Sequence, residues 1–250
     1  MKVRIGITSG WEPGTVVEGW PLVYANKGAI EYVEKHGAIP VMIPVLEDVS
    51  LYDEYMKFID AIIVSGEVLS IKRNVVKDGG DNPLYSSNPL RYENEKAAIN
   101  SAIKSGIPIL GICRGYQVMN VELGGNMKDG DITIDNPVIH QQGGIELPNV
   151  GVHEISIKED TKLHSLLNVD EIMVNSFHRQ AVGDLPKGFI ASASTKDGHI
   201  EAIETDDDRF IIGVQFHPEM LTGDIWDNFF KEFIKVARNS KNNESCYATH

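Results

Sequence analysis

The stretch Ile107-Pro-Ile-Leu-Gly-Ile-Cys-Arg-Gly-Tyr-Gln-Val-Met-Asn-Val-Glu-Leu-Gly-Gly125 indicates a buried strand, a sharp turn and a helix, with Cys113 on the turn. A short apolar run after a proline is typical of a central parallel strand. Gly111 and Gly115 flank the cysteine, where a tight reversal of the chain needs residues without a Cβ atom. The pattern is the cysteine version of the Gly-x-Ser-x-Gly nucleophile elbow.

The predicted helix gives Cys113 a chemical role. Backbone N–H groups in the first turn of a helix have no intrahelical acceptor, and the helix dipole places positive charge there, so a thiolate is favoured over a thiol. We therefore predict that Cys113 is a nucleophile. The alternative is a small buried cysteine that only fills space in a β-α-β unit.

A base and an acid lie near the other end of the chain. Phe210-Ile-Ile-Gly-Val-Gln-Phe-His-Pro-Glu219 is an apolar strand that ends in His217 and Glu219. Residues i and i+2 of an extended segment point to the same side, so Glu219 can orient the imidazole of His217 and stabilise its charged form. Nucleophile, base and orienting acid are recognised by geometry and not by chain order. We expect a catalytic triad of Cys113, His217 and Glu219, the alternative being that the last two merely end a strand.

These two motifs resemble those of the class I glutamine amidotransferase superfamily, in which cysteine, histidine and glutamate form the triad. Further matches resemble its gamma-glutamyl-gamma-aminobutyrate hydrolase branch, also called the C26-type peptidase-like family: Asn120-Val with Leu123-Gly-Gly125, Asn175-Ser-Phe-His-Arg-Gln180, and Asp197-Gly-His-Ile-Glu-Ala-Ile-Glu204. The likeness runs from about Val3 to Phe233. It implies an α/β, flavodoxin-like fold with a mostly parallel central sheet, flanking helices and a small antiparallel extension.

The resemblance also implies a reaction. Cys113 attacks the amide of a gamma-glutamyl amine, such as gamma-glutamyl-gamma-aminobutyrate, and the resulting thioester is hydrolysed to release glutamate and the free amine. Backbone N–H groups at Gly66 or Glu67, together with that of Arg114, are the expected oxyanion donors. The turn Ser65-Gly66-Glu67 departs from the family, which usually has a Gly-Gly pair and then an aspartate; this departure bears on the identity of the substrate.

Three other residues occupy motif positions that the family uses to bind the glutamyl group. They are Gln117, Ser176 and His178. Arg179 stands where relatives often have a second histidine, and its guanidinium could favour a carboxylate-bearing substrate or simply be solvated.

The motifs leave three functions to compare. The first is a hydrolase of gamma-glutamyl amines, which the branch motifs favour. The second is a glutaminase subunit that supplies ammonia to a separate synthetase partner. The third is a binding or regulatory module without activity, which an intact set of Cys113, His217 and Glu219 disfavours.

Composition narrows the class of partner and the compartment. The chain has 250 residues and a formal net charge of −13, which disfavours nucleic acid and anionic membrane because both attract clustered Lys and Arg. We expect a small-molecule substrate and allow for a homodimer.

Cys113 and Cys246 lie far apart and suggest no disulfide framework, so a reducing cytoplasm is expected. No signal peptide or membrane span is apparent, and the length suits one domain, residues 1–238, followed by a polar, frayed tail, residues 239–250.

No cofactor or metal is expected. The thioester route requires neither a metal nor a nucleotide. The chain has eight histidines, but none forms a His-x-x-x-His or Glu-x-x-His pair at helical spacing.

Apolar periodicity and turn residues predict the order of the elements. The predicted helices are Tyr24–His36, Asp48–Phe58, Arg91–Lys104 and Trp226–Arg238. The predicted strands outside the two motifs are Val3–Ile7, Ile39–Ile43, Ala61–Ser65, Val152–Ile157, Ile172–Val174, Phe189–Ser194 and His199–Glu204. Two long loops are predicted, Thr8–Gly19 and Leu69–Leu90, the second near the site.

Overall fold

The computed structural model describes residues 2–14, 16–67, 84 and 88–247, with side chains described as far as residue 240. The strands in these residues are β1 Arg4–Thr8, β2 Gly10–Glu12, β3 Leu22–Tyr24, β4 Ile39–Ile43, β5 Ala61–Val64, β6 Ile109–Ile112, β7 His153–Ile157, β8 Glu171–Val174, β9 Phe189–Thr195, β10 Ile200–Thr205 and β11 Ile211–Val214. The α-helices are α1 Lys27–Lys35, α2 Tyr52–Met56, α3 Pro89–Ser105, α4 Arg114–Glu122, α5 Lys162–Leu167 and α6 Asp224–Tyr247. Short 3-10 turns cover Val49–Leu51 and Pro218–Met220.

One mixed sheet organises the molecule. Its nine strands follow the order β4-β1-β5-β6-β11-β10-β9-β7-β8. The first five pair in parallel, whereas β10, β9, β7 and β8 continue the sheet with antiparallel pairings. Strand β11 is therefore the seam, parallel to β6 on one side and antiparallel to β10 on the other. The expected flavodoxin-like α/β fold with an antiparallel extension is confirmed.

Helices cover both faces of the parallel half. Every residue of β5, β6 and β11 is buried, because central strands between two helical layers have no solvent face. On one face, α1, α5 and α6 pack against the sheet with residues such as Val33, Leu163 and Phe230. On the other face, α2, α3 and α4 pack with residues such as Met56, Ile99 and Met119. The carboxyl ends of β5, β6 and β11 thus meet at one edge, the usual position of a ligand site in such sheets.

Several element boundaries differ from the sequence prediction. Helix α1 begins at Lys27 and not at Tyr24, because the side chain of Asn26 caps it by accepting from the N–H of Gly28. The predicted helix Asp48–Phe58 is a 3-10 turn followed by the short α2. Part of the predicted loop Thr8–Gly19 forms β2, which pairs with β3 in a small two-stranded sheet.

The last helix is also longer than predicted. It continues through Tyr247 and includes residues that the sequence analysis assigned to a frayed tail. No glycine or proline follows Arg238, so neither of the two strongest helix breakers interrupts this helix. Among the described residues, no helix is both long and apolar enough to cross a membrane.

Candidate active site

Cys113 lies on the predicted elbow between β6 and α4. It precedes the first residue of α4 with φ 49° and ψ −104°, and its N–H donates to the carbonyl of Val214 at 2.8 Å. The left-handed backbone conformation thus belongs to the cysteine itself. The flanking glycines serve close packing, since a Cβ atom on Gly115 would lie 2.1 Å from the carbonyl oxygen of Val64. Such an elbow holds the thiol above the end of the sheet.

His217 and Glu219 follow β11 and form the expected pair. Nδ1 of His217 and Oε1 of Glu219 are 2.7 Å apart, and both side chains are almost fully buried. The side-chain amide of Asn26 donates to the same Oε1 at 2.8 Å. Because Glu219 can only accept when ionised, this bond places the imidazole proton on Nδ1 and leaves Nε2 as the reactive nitrogen. Nε2 is buried and makes no hydrogen bond within the described residues.

The electrostatic environment of His217 favours its charged form. Burial by itself lowers the pKa of the imidazole, but the negative charges of Glu219 and Cys113 outweigh burial and hold the pKa well above its usual range. The imidazole can thus take up a proton at Nε2, as a general base must.

Two residues of one extended segment hold His217 in place. The amide of Asn175 accepts from the His217 N–H at 2.8 Å and donates to the His217 carbonyl at 2.9 Å. The ring of Phe177 meets the imidazole edge to face, with centroids 5.9 Å apart. Asn175 and Phe177 share a side of the segment because side chains alternate in extended backbone.

Gly66 lies where Cys113 and His217 meet. A Cβ atom on Gly66 would lie 2.5 Å from Cε1 of His217 and 3.3 Å from Cβ of Cys113. The glycine is therefore needed for the approach of the imidazole. The thiol of Cys113 is also contacted by the side-chain amide of Gln215, whose Nε2 is 3.6 Å from Sγ.

A buried ionic network supports the turn that carries Gly66. Arg91 is fully buried and donates from Nη2 to the carbonyls of Ser65 and Gly66 at 3.1 and 3.0 Å. The carboxylate of Glu95 accepts from Nε of Arg91 at 2.7 Å and from Nε of Arg114 at 3.0 Å. Burial lowers the pKa of the Arg114 guanidinium, and Glu95 opposes that shift. The carboxylate of Glu95 thus pairs with two buried cations, one of them next to the nucleophile, and Arg91 has a second carboxylate partner in Glu67 at 3.5 Å.

We expect Glu95→Gln to destabilise the protein by about 3–5 kcal/mol, because it removes the negative charge that lies between two buried guanidinium groups. Urea unfolding measures this as a lower midpoint at an unchanged slope. The matched control is Glu31→Gln, which removes the carboxylate of an exposed i,i+4 pair with Lys27 and should change stability little. Equal midpoints for Glu95→Gln and the unmodified protein would show that the network contributes nothing.

The three residues predicted to bind substrate make contacts within the scaffold. Nε2 of Gln117 donates to the carbonyl of Gln180 at 3.0 Å and to the side chain of Gln215 at 2.9 Å. Ser176 is fully buried, and its hydroxyl donates to the carbonyl of His140 at 2.7 Å. Gln117 therefore orients the amide that contacts Sγ, and Ser176 fixes a loop. Their roles in binding substrate stay predictions.

His178 belongs to a second buried group, which we call the histidine cluster: His140, His153, His178 and Glu201. All four residues are at most 5% exposed. Burial raises the pKa of the Glu201 carboxyl, but the neighbouring imidazoles outweigh burial and hold the pKa well below its usual range. Glu201 is adjacent to the site, since its carbonyl accepts from the N–H of Gln215 at 2.7 Å.

Two further expectations lie at the edge of the site. Nη1 of Arg179 is 3.1 Å from a carboxylate oxygen of Asp131, and both groups are partly exposed, so this guanidinium forms a surface ion pair. The predicted loop Leu69–Leu90 lies largely outside the described residues, which resume at Asn88 after Leu84. Asn88 caps α3, and Pro89 begins it, two residues before the predicted start.

Sequence reasoning missed the residues that support the triad. These supporting residues are far in sequence from the groups that they contact. Asn26 contacts Glu219, Arg91 contacts the turn at Gly66, and Glu95 contacts Arg114. Their only sequence signals are an Asn before a helical pattern and an Arg and Glu at i,i+4 spacing, which many exposed helices share. Asn175 stood within a recognised motif, but its contact with the His217 backbone was not predicted.

Comparisons with known proteins place the chain in a family. The family model of peptidase C26 matches residues 4–219. NtpR of Enterococcus hirae is 30% identical over 223 residues, covering 86% of this chain and 92% of that protein. The glutamine amidotransferase-like protein YvdE of Lactococcus lactis is 30% identical and covers 86% and 88%. The gamma-glutamyl-gamma-aminobutyrate hydrolase PuuD of Escherichia coli is 29% identical and covers 73% of each chain.

Solved structures share the fold at lower identity. A protein from Thermoplasma acidophilum, described as one of the subunits of GMP synthase, superposes with a TM-score of 0.66 at 17% identity, covering 98% of both chains. The glutaminase domain of the Trypanosoma brucei protein CTPS, bound to acivicin, gives 0.61 at 17% identity and covers 95% and 94%. These likenesses place the sheet and its helices among glutamine amidotransferase-like folds.

Proposed function

The chain belongs to the peptidase C26 family, and we propose that it hydrolyses the gamma-glutamyl amide bond of a gamma-glutamyl amine. The observation that carries the proposal is the convergence of three groups at one sheet edge: Cys113 on its elbow, His217 against Gly66, and Glu219 bonded to Nδ1 of His217. The name of one relative, a gamma-glutamyl-gamma-aminobutyrate hydrolase, supports the choice of substrate class.

In the first half of the reaction, Nε2 of His217 takes the proton of Cys113. The thiolate attacks the amide carbonyl carbon, and a C–S bond forms as the carbonyl oxygen becomes an oxyanion. Backbone N–H groups at Gly66 or Glu67 and at Arg114 are the proposed donors to that oxyanion. Collapse of the intermediate breaks the C–N bond, and the imidazolium gives its proton to the leaving amine.

In the second half of the reaction, water hydrolyses the thioester. Nε2 of His217 accepts a proton from water as the hydroxide attacks the thioester carbonyl, and the C–S bond then breaks. The imidazolium returns its proton to the sulfur, and glutamate leaves. Glu219 accepts the hydrogen bond from Nδ1–H throughout, and its negative charge stabilises each imidazolium as it forms.

Glutamate release tests the proposal. The purified chain is assayed with glutamine, gamma-glutamyl-gamma-aminobutyrate and gamma-glutamyl-polyamines, with Cys113→Ala as the blank. We expect Cys113-dependent release from at least one gamma-glutamyl amine at a higher kcat/KM than from glutamine. Similar or higher kcat/KM for glutamine would contradict the proposal.

The names of amidotransferase-like relatives support a second candidate, a glutaminase subunit with a synthetase partner. The same assay separates the two. A glutaminase subunit would release little glutamate from any gamma-glutamyl amine by itself, and its release from glutamine would rise when the synthetase is added.

A further inference from the structure

The histidine cluster brings together side chains from four separate segments. His140 lies in the chain before β7, His153 opens β7, His178 lies in the chain after β8, and Glu201 lies on β10. We propose that this cluster binds one divalent cation of the zinc type. The proposal concerns a site apart from Cys113 and does not depend on the reaction proposed above.

One ring nitrogen of each imidazole is fixed as a donor by an acceptor outside the cluster. Nδ1 of His153 is 2.8 Å from the carbonyl of Ile139, and Nδ1 of His178 is 2.9 Å from the carbonyl of Gln180. Since a carbonyl oxygen only accepts, each of these nitrogens carries a proton.

His140 is fixed in the same way by a carboxylate. Its Nε2 is 2.9 Å from Oδ2 of Asp197, an oxygen that also accepts from the side-chain amide of Asn136. Histidine ligands of metals typically donate their other N–H to a carbonyl or a carboxylate, which sets the tautomer. In the neutral form of each imidazole, the remaining nitrogen therefore presents a lone pair.

Those remaining nitrogens converge on Oε1 of Glu201. Nε2 of His178, Nδ1 of His140 and Nε2 of His153 lie 3.3, 3.6 and 3.7 Å from this oxygen. The inner nitrogens of His140 and His178 are 3.4 Å apart. Metal–ligand bonds of about 2.0–2.2 Å in a tetrahedron place neighbouring ligand atoms roughly 3.3–3.6 Å apart, so the spacing suits a shared cation.

With the imidazoles in their neutral form, hydrogen bonds do not account for this convergence. Within the described residues, neither the two carboxylate oxygens of Glu201 nor Nε2 of His153 have a hydrogen-bond partner, although all three atoms are buried. Buried polar atoms without a partner cost free energy, and converging lone pairs repel each other. A cation at the centre would bind Oε1 of Glu201 and Nε2 of His153 together with the other two lone pairs.

The donor set selects the kind of metal. Three imidazoles and one carboxylate suit Zn²⁺ and similar transition ions, whereas Mg²⁺ and Ca²⁺ prefer oxygen ligands. The ligand atoms of His140, His153 and Glu201 lie within 4.8 Å of one another, and His178 would supply the fourth ligand. Four protein ligands leave no open position in a tetrahedral site, which is typical of a structural zinc. A second group, His140 with Asp197 and His199, also lies close together. It is a poorer site, because the ammonium of Lys128 is 3.2 Å from Nδ1 of His199.

The cluster would connect the antiparallel half of the sheet to the segment that holds His217. His178 follows Asn175 and Phe177, the two residues that contact His217. A bound ion would fix this segment through His178, on the side opposite to Asn175 and Phe177. We therefore expect the metal to stabilise the fold, with Cys113 and His217 still carrying the chemistry.

Metal content and thermal stability test the proposal. The Cys113→Ala protein is used without a polyhistidine tag, so that neither a reactive thiol nor a tag binds metal. After unfolding with a chelator and refolding, it is titrated with Zn²⁺ or Co²⁺. We expect about one ion per chain, a Tm that rises with Zn²⁺ concentration, and visible absorption of tetrahedral Co²⁺. Failure to bind either ion, with no change in Tm, would overturn the proposal.

Two variants locate the ion. His153→Gln should lower the Zn²⁺ affinity by more than the roughly 10–100-fold typical of outer-shell partners, because it removes a direct ligand. The matched control is His164→Gln, which changes a histidine 3.1 Å from Asp170 and outside the cluster; we expect it to bind Zn²⁺ like the parent. Equal affinity of His153→Gln and the parent would show that the ion binds elsewhere. If His153→Gln does not fold, the titration of the Cys113→Ala protein decides whether an ion binds. The spectrum of bound Co²⁺ then locates the ion: it must show nitrogen ligands and no sulfur ligand.

Discussion

Replacing Cys113 with alanine should reduce gamma-glutamyl amide hydrolysis by about 10⁴-fold or more, as expected when a covalent nucleophile is removed. The thiol is the only group at the elbow that can form the thioester, so the remaining groups can only polarise the substrate. Steady-state glutamate release measures kcat/KM, and mass spectrometry of the parent protein during turnover should detect the added glutamyl group.

The matched control is Cys246→Ala, which removes the other cysteine of the chain. It should retain the activity of the parent protein, and circular dichroism and thermal melting should show that both variants fold. Substantial glutamate release by Cys113→Ala would exclude the thioester route.

Glu219→Gln should lower kcat by about 10²–10⁴-fold with a smaller change in KM, because the loss falls on the charged imidazole and not on substrate contacts. The glutamine oxygen can still accept from Nδ1 of His217 and from Asn26, so the geometry is largely kept while the charge is lost. The measurement is the pH dependence of kcat/KM.

The direction of the pH shift follows from the sign of the charge. Glu219 raises the pKa of His217, so its removal lowers that pKa. The His217 imidazolium then loses its proton at a lower pH, and the alkaline limb of the profile should move to lower pH. Asp170→Asn is the control, since it removes a carboxylate 3.1 Å from His164, outside the site. An unchanged profile for Glu219→Gln would mean that the carboxylate does not tune the base.

The parts of the site that lie in contiguous motifs could be predicted from the sequence. The elbow around Cys113 and the i,i+2 pair of His217 and Glu219 are set by local backbone geometry, which short patterns encode. Strand β4 was predicted with its observed bounds for the same reason, since an apolar run between turn residues defines it.

Contacts between distant segments could not be predicted in this way. Asn26 reaches Glu219 across 193 residues, and the carboxylate of Glu95 meets Arg114 across a turn that is buried only in the fold. The convergence of the histidine cluster could not be predicted either, because its members come from four segments and have no helical spacing. Local patterns predicted α6 too short, because a polar composition does not by itself end a helix.

The position of β11 between β6 and β10 determines when the proposed triad can assemble during translation. Cys113 leaves the ribosome long before His217, and an N-terminal region begins to fold while the rest of the chain is still being made. The strand that delivers the base must insert between β6 and β10, so it arrives after both of its neighbours. Until then the nascent chain contains the Cys113 elbow but lacks His217, the proposed proton acceptor. The proposed triad can therefore assemble only after translation has passed Glu219.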